Sequence, residues 1–378
     1  MLDNHRQTKL MAAFHRRFGG EPSLEISASG RVDLMGSHTD YNHGFVLTLP
    51  LERDTRMVVR PRRDGVVAVY SLNTDSGAEF DLGEIHRDHV HTWTNYVRGV
   101  ADVLQAEGHA LTGFSAVIHS TIPLSSGLSS SAALEVATAR AFDRLSKLEL
   151  EPVRLALLCQ RAENQFVGVN CGILDQYTSS VGEAGSALLL DCRNLTSTVT
   201  PLDPSMRVVI CDTRYKRELR GSEYAERRAQ CERGAARLAE FIPGVKALRD
   251  VTLEQFSVHA GELEEVVQRR CCFILEENQR TLDLAKALPM GDRNAICSLT
   301  AASFAGARDL YAIVSNEMEV MMGAMLNAPG VIGARQAGAG FGGCMAAYVE
   351  NEAVEPFATH VRQAYQSQTG IEPRVYVA

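Results

Sequence analysis

Early in the chain, apolar and polar positions alternate with a two-residue period, which predicts strands over 24–27, 45–49, 55–60 and 66–70. Ahead of them the spacing of Leu10, Phe14 and Phe18 predicts an amphipathic helix. A helix over 95–105 and a strand over 114–120 follow. That strand leads into a Gly/Ser-rich loop, after which good helix formers carry a helix to about residue 148. Pro152, at a first-turn position where its missing N–H is no loss, opens a helix through residue 166. Strands are predicted over 186–191 and 206–212. Beyond them the period becomes helical, with helices over 223–241, after the capping box Thr252–Gln255, and over 293–315. Two strands and a last helix over 355–366 surround a glycine cluster, and Tyr376 falls in a closing strand. Pro201 and Pro204 flank a short loop, which puts a domain boundary between 1–201 and 202–378.

Composition narrows the class. The 378 residues suit two domains, and 45% hydrophobic with 22% charged residues is the balance of a globular protein. The net charge is −8, and Arg227–Arg228 and Arg269–Arg270 sit among glutamates as solvated helix faces, so neither nucleic acid nor an anionic membrane is an expected partner. No apolar stretch approaches the length of a membrane span, and the first residues lack the apolar core of a signal peptide. Nine cysteines without a C-x-x-C pair indicate neither a disulfide framework nor a zinc site. The expectation is a cytoplasmic protein, a monomer or weak oligomer, with a small-molecule partner.

Candidate chemistry concentrates in a few segments. The run 123–135, PLSSGLSSSAALE, ends a loop where a helix begins, and free N–H groups among small residues and hydroxyls form an anion site. It carries no lysine, so it is not a Walker P-loop; an ordinary Ser-capped helix is the plain alternative. The cluster 338–343, GAGFGG, precedes a strand rather than a helix, which excludes a dinucleotide fingerprint and leaves a loop of close backbone approach or a tight turn. Between two apolar strands, 30–42 offers Arg31, His38, Asp40 and Asn42 to a polyhydroxy ligand, or forms a polar loop. Glu163 lies at the edge of an apolar helix face and Asp175 in an apolar context, where a carboxylate must be paired, hydrogen-bonded or metal-bound, or else face solvent as a cap. His86, Asp88, His89 and His91 have metal-like spacing, yet Arg87 and the charge density favour a solvated loop.

Together these segments resemble the galactokinase branch of the GHMP kinase superfamily. Residues 30–42, GRVDLMGSHTDYN, are similar to the signature usually written GRVNLIGEHTDYN; 123–135 resembles the family's phosphate loop and 338–344 its third glycine motif. Residues 93–99, 166–176 and 218–224 also follow galactokinases, so that six motifs occur in order over nearly the whole chain. The resemblance implies an α+β fold with a ribosomal-S5-like N-terminal domain, a ferredoxin-like C-terminal domain and an active site in the cleft between them. It also implies that Ser125, Ser126, Gly127, Leu128, Ser129, Ser130 and Ser131 wrap the phosphates of ATP, and that Ser131 and Glu163 hold Mg²⁺. Asp175 would take the proton of the sugar C1 hydroxyl and Arg31 would stabilise the transferring phosphoryl group. Ser37, His38, Thr39, Asp40, Gly172 and Tyr224 would line the sugar site. Three positions depart from the signature, Met35 for Ile, Asp33 for Asn, and Ser37 for a Glu that meets the sugar's C6 hydroxyl. The expected activity is therefore ATP-dependent phosphorylation of galactose or a close galacto-configured sugar. The alternatives are a kinase for a C6 variant such as galacturonate or L-arabinose, a non-catalytic sugar sensor, and a metal hydrolase built on His86–His91.

Overall fold

The computed structural model describes residues 2–124, 126–183, 185–215 and 220–378, so Ser125 and the first two residues of the 218–224 motif lie outside the described residues. By contact the chain divides into two compact units, neither of them continuous in sequence. One takes residues up to 30 with 51–124 and 129–181; the other takes 31–50, 125–128 and 182–378. The boundary expected at 201/202 follows sequence order, whereas these units interleave.

The first unit contains α1 (Leu2–Phe18), most of β1 (Leu24–Met35) and of β2 (Phe45–Pro61), β3 (Val66–Ser71), β4 (Ser76–Asp81), α2 (Asn95–Ala106), β5 (Phe114–Ser120), α3 (Ser130–Ser146), α4 (Pro152–Arg161) and α5 (Leu174–Val181). Thr55–Pro61 of β2 pairs antiparallel with β5, β5 runs parallel to β3, and β3 pairs antiparallel with β4. Strand alternation sorts the side chains onto two faces. Met57, Val59, Ala116 and Ile118 pack with Val97, Val100 and Leu104 of α2 and Val136 and Phe142 of α3. Val58 and Val117 on the other face cover Leu10 and Phe14 of α1.

The second unit holds β6 (Ala187–Asp191), β7 (Thr196–Thr200), β8 (Met206–Asp212), α6 (Arg220–Leu238), α7 (Leu253–His259), α8 (Glu265–Met290), α9 (Arg293–Asp309), α10 (Asn316–Leu326), β9 (Val331–Gln336), β10 (Cys344–Glu350), α11 (Val354–Thr369) and β11 (Arg374–Val377). Phe45–Thr48 of β2 pairs with β6, and β6 with β7. A four-stranded antiparallel sheet runs in the order β11-β8-β10-β9. Its Val209, Met345, Ala347 and Val349 pack against Met318 and Met321 of α10 and Phe357 and Val361 of α11.

The capping box at Thr252 forms as expected, its hydroxyl accepting from Gln255 N–H while the Gln255 side chain accepts from Thr252 N–H. Other elements differ from the periodicity. The helix from Pro152 widens into a π-turn over Ala162–Val167, and the helix expected over 293–315 stops at Asp309, with Ser315 capping a separate α10. β1 continues through Arg31 and Asp33 to Met35, polar positions that broke the sequence pattern. Among the described residues no helix is long and apolar enough to cross a membrane.

Candidate active site

In the first unit the end of the Ser-rich loop enters α3. Ser129 is its N-cap, in a left-handed conformation (φ 61°, ψ 43°) that a non-glycine residue adopts at some cost. Its buried hydroxyl has no hydrogen-bond partner among the described residues. An orphaned hydroxyl at a helix start suits a ligand oxygen. Ser131, in the first turn, hydrogen-bonds Glu163 on the π-turn. A π-turn inserts a residue and re-aims the side chains after it, which is why such turns recur at functional sites.

Around Glu163 the chemistry is acidic and dry. Gln176 of α5, wholly buried, donates from Nε2 to Glu163 Oε2 at 2.6 Å and to Glu135 Oε2 at 3.0 Å. Cys171 donates its thiol to the same Glu163 oxygen at 3.3 Å. Burial, then the neighbouring Asp175 carboxylate, push Glu163 up to about 7. Burial and then Glu163 raise Glu135 well above the ordinary carboxylate range. Asp175 lies half-buried in the first turn of α5, directly before Gln176, and Gly172 is buried just upstream. Ser131, Glu163, Asp175 and Gly172 are thus gathered in this unit. Glu135 and Gln176 were not picked out from sequence; the signal for Glu135 was its place four residues after Ser131, one turn along the same helix face.

The second unit assembles the remaining residues. Arg31, buried in β1, donates from Nη1 to the Gly127 carbonyl at 2.6 Å, and its N–H reaches the Leu128 carbonyl at 3.3 Å. On the other side of that loop, Cys344 N–H, at the start of β10, donates to the Ser126 carbonyl at 3.1 Å. The strand arginine holds Gly127 and Leu128 and the glycine hairpin holds Ser126, three consecutive loop residues between them. His38 (φ 67°) is buried, with Nε2 2.9 Å from the Ala339 carbonyl and Nδ1 2.8 Å from Tyr41 Oη. A carbonyl only accepts, so Nε2 carries the proton and Nδ1 accepts from the tyrosine. The Tyr224 ring of α6 lies 5.2 Å from the imidazole, and Tyr41 Oη continues to Tyr311 Oη at 2.8 Å. Asp40 is half-buried beside this aromatic group. Thr39 is fully buried, its hydroxyl donating to the Gly36 and Phe45 carbonyls, a role inside the turn. Ser37 faces Asp33, itself a departure from the signature, and Arg335, which no sequence feature identified.

The 86–91 segment is engaged in its own loop: Asp88 accepts from the N–H groups of Val90 and His91 and pairs with Arg98. Among the described residues no group of three or more His, Cys, Asp and Glu side chains is arranged to hold a metal ion.

A loop without lysine thus leads into a helix whose first turn meets a buried acid. The GHMP kinases N terminal domain matches residues 95–183, and the galactokinase galactose-binding signature matches residues 12–61. The galactokinase of Roseiflexus sp. (strain RS-1) is 41% identical over 369 residues, 98% of this chain and 94% of that protein. The crystal structure of Lactococcus lactis galactokinase complexed with galactose superposes with a TM-score of 0.94 at 33% identity, covering 99% of this chain and 97% of that one. Methanococcus jannaschii mevalonate kinase shares the fold alone, with a TM-score of 0.66 at 15% identity over 95% of this chain and 98% of that one. The chain belongs to the galactokinase family of the GHMP kinases, and its α+β architecture is the GHMP kinase fold.

Proposed function

We propose that the protein transfers the terminal phosphoryl group of ATP to the C1 hydroxyl of galactose, giving galactose 1-phosphate and ADP. The observation that carries this reading is one string of contacts within the first unit. Ser131, at the helix start that would receive phosphate, bonds Glu163, and burial first, then the Asp175 carboxylate, push Glu163 upward. Phosphoryl transfer requires positioning and charge neutralisation more than covalent chemistry, and this string supplies a hydroxyl, a buried acid and a proton acceptor in sequence.

The backbone and hydroxyls of 126–131, with Ser125, receive the phosphates, and the unpartnered Ser129 hydroxyl fits an anionic oxygen. Glu163 and Ser131 fit a divalent cation: a carboxylate pushed up by burial and then by the Asp175 carboxylate gains from a cation nearby. Bound there, Mg²⁺ would neutralise charge on the transferring phosphate. Asp175 accepts or orients the C1 proton, while Arg31, already anchored on Gly127, directs positive charge along the phosphate loop. His38, Asp40, Gly172 and Tyr224 bind the sugar. The nine cysteines are all unpaired, which accords with work in a reducing cytoplasm.

The test is ADP release measured across galactose, galacturonate, arabinose, galactosamine and glucose. Galactose should give the highest kcat/KM, with phosphate found on C1. Asp175→Asn should lower kcat by about 100-fold or more, the scale of a positioned acid/base, with ATP affinity retained. Sugar binding without ADP release would instead indicate a sensor, and an Asp175→Asn enzyme within about tenfold of wild type would remove that residue from the chemistry.

A further inference from the structure

Two of the three positions at which 30–42 departs from its signature, Asp33 and Ser37, are in contact with each other. Ser37 Oγ donates to Asp33 Oδ2 at 2.7 Å and accepts from Arg335 Nη2 at 3.0 Å, and the side chain is sealed from solvent. Arg335, fully buried in β9, also donates to Glu277 Oε1 of α8 at 2.9 Å and through Nε to Ser303 Oγ of α9 at 3.0 Å. Ser303 donates its hydroxyl hydrogen to Glu277 Oε1 at 2.8 Å, Gly36 N–H reaches the same oxygen at 3.3 Å, and Arg280 donates to the other oxygen at 2.8 Å. Two carboxylates thus face two guanidinium groups in a closed interior cluster. The hydroxyl gives its proton to Asp33 and accepts from Arg335, so both of these hydrogen bonds stay within the protein.

We infer that Asp33 and Ser37 act as one charge-balanced positioning pair that fastens the 36–42 turn to Arg335 and Glu277, and that Ser37 does not itself touch the sugar. This rests on the reading of that turn as sugar-binding. The hydroxyl links Asp33 to Arg335 at the residue immediately before His38, so the cluster sets where His38 and Asp40 stand. A glutamate at 37 beside an intact Asp33 would force two carboxylates together in a buried space, and an asparagine at 33 alone would leave a guanidinium short of its counter-charge. Made together, the two changes restore the charge count with the carboxylate moved by one position in the pair.

The experiment compares wild type, Asp33→Asn, Ser37→Glu, the double variant and Ser37→Ala. Each of the two charge-changing single variants should lower the melting temperature by about 4 °C or more, and the double variant should recover most of it. Hydrogen exchange across 36–42 should quicken in those singles and slow again in the double. Ser37→Ala should raise KM for galactose and for arabinose, which lacks C6, by a common factor of about tenfold with a smaller change in kcat. Additive melting shifts would overturn the pairing. A Ser37→Ala effect on galactose alone would mark Ser37 as a C6 contact and overturn the inference. If wild type releases no ADP with galactose, the kinase reading fails on its own, and the melting and exchange cycle still decides the pair.

Discussion

His38 shows how burial fixes the chemistry of a single side chain. Its Nε2–H is committed to the Ala339 carbonyl and Nδ1 to Tyr41, so a second proton would require the Tyr41 hydroxyl to turn from donor to acceptor. Burial, with Arg227 and Arg335 adding to it against the Ala339 bond, lowers the imidazole from 6.5 to about 4. Between those values the unfolded chain binds a proton that the folded one refuses, so this contribution to stability is complete above about pH 6.5 and is lost as pH falls toward 4. The slope is at most about 1.4 kcal/mol per pH unit. Asparagine tolerates a left-handed backbone, so His38→Asn is the variant to compare. The wild-type melting temperature should fall more steeply than the variant's between pH 6.5 and 5, because Tyr41, Tyr224, Tyr311, Arg227, Glu277 and Arg335 stand in both proteins. Parallel curves would show that His38 does not titrate in this way. From sequence, His38 stood out by its motif. Arg335 and Glu277 did not: Arg335 is the single charge of a short apolar strand, Glu277 is one of several charges on α8, and most of their partners lie far along the chain.

At the scale of elements, the β9–β10 hairpin acts as a clamp on the phosphate loop. Gly343 sits at φ +85°, and a Cβ there would lie 2.8 Å from the Ser126 carbonyl that Cys344 N–H holds. Neither backbone atom can yield cheaply. Gly343→Ala should therefore raise KM for ATP by about tenfold, as expected for a loop displaced by a fraction of an ångström, and move KM for the sugar little. Equal effects on both would argue for general loosening of the unit. The glycine cluster was legible as a close-approach loop, whereas its partner was not, because Ser126 lies more than two hundred residues away in sequence. Periodicity served the elements well where one face is apolar. It failed at β1, whose buried Arg31 and Asp33 read as loop, and at α8, whose buried face carries Glu277 and Thr281. The π-turn at Glu163 was also invisible, since widening by one residue leaves the apolar spacing almost unchanged.

At the scale of the molecule, the order of the chain and the order of packing disagree. Residues 31–50 stand near the N-terminus yet belong to the unit that holds 182–378. The reason is polar: Ser37 needs Arg335, Gly36 uses Glu277, His38 uses Ala339, and Tyr41 uses Tyr311, all supplied by the last third of the sequence. Apolar pattern alone carries no record of such pairings, which explains why proline-flanked punctuation at residue 201 suggested a simpler split. A fragment ending at residue 201 would keep every segment of the first unit, including the strands and helices of its core. It would strip residues 31–42 of these partners and leave buried polar groups unmatched. In that fragment, amides of 114–118 and 136–142 should keep much of their protection, while those of 31–42 should exchange about 100-fold faster than in the full chain. Equal protection of 31–42 in fragment and full chain would mean that β1 and β2 hold the turn unaided, and that the distant charges add nothing to its order.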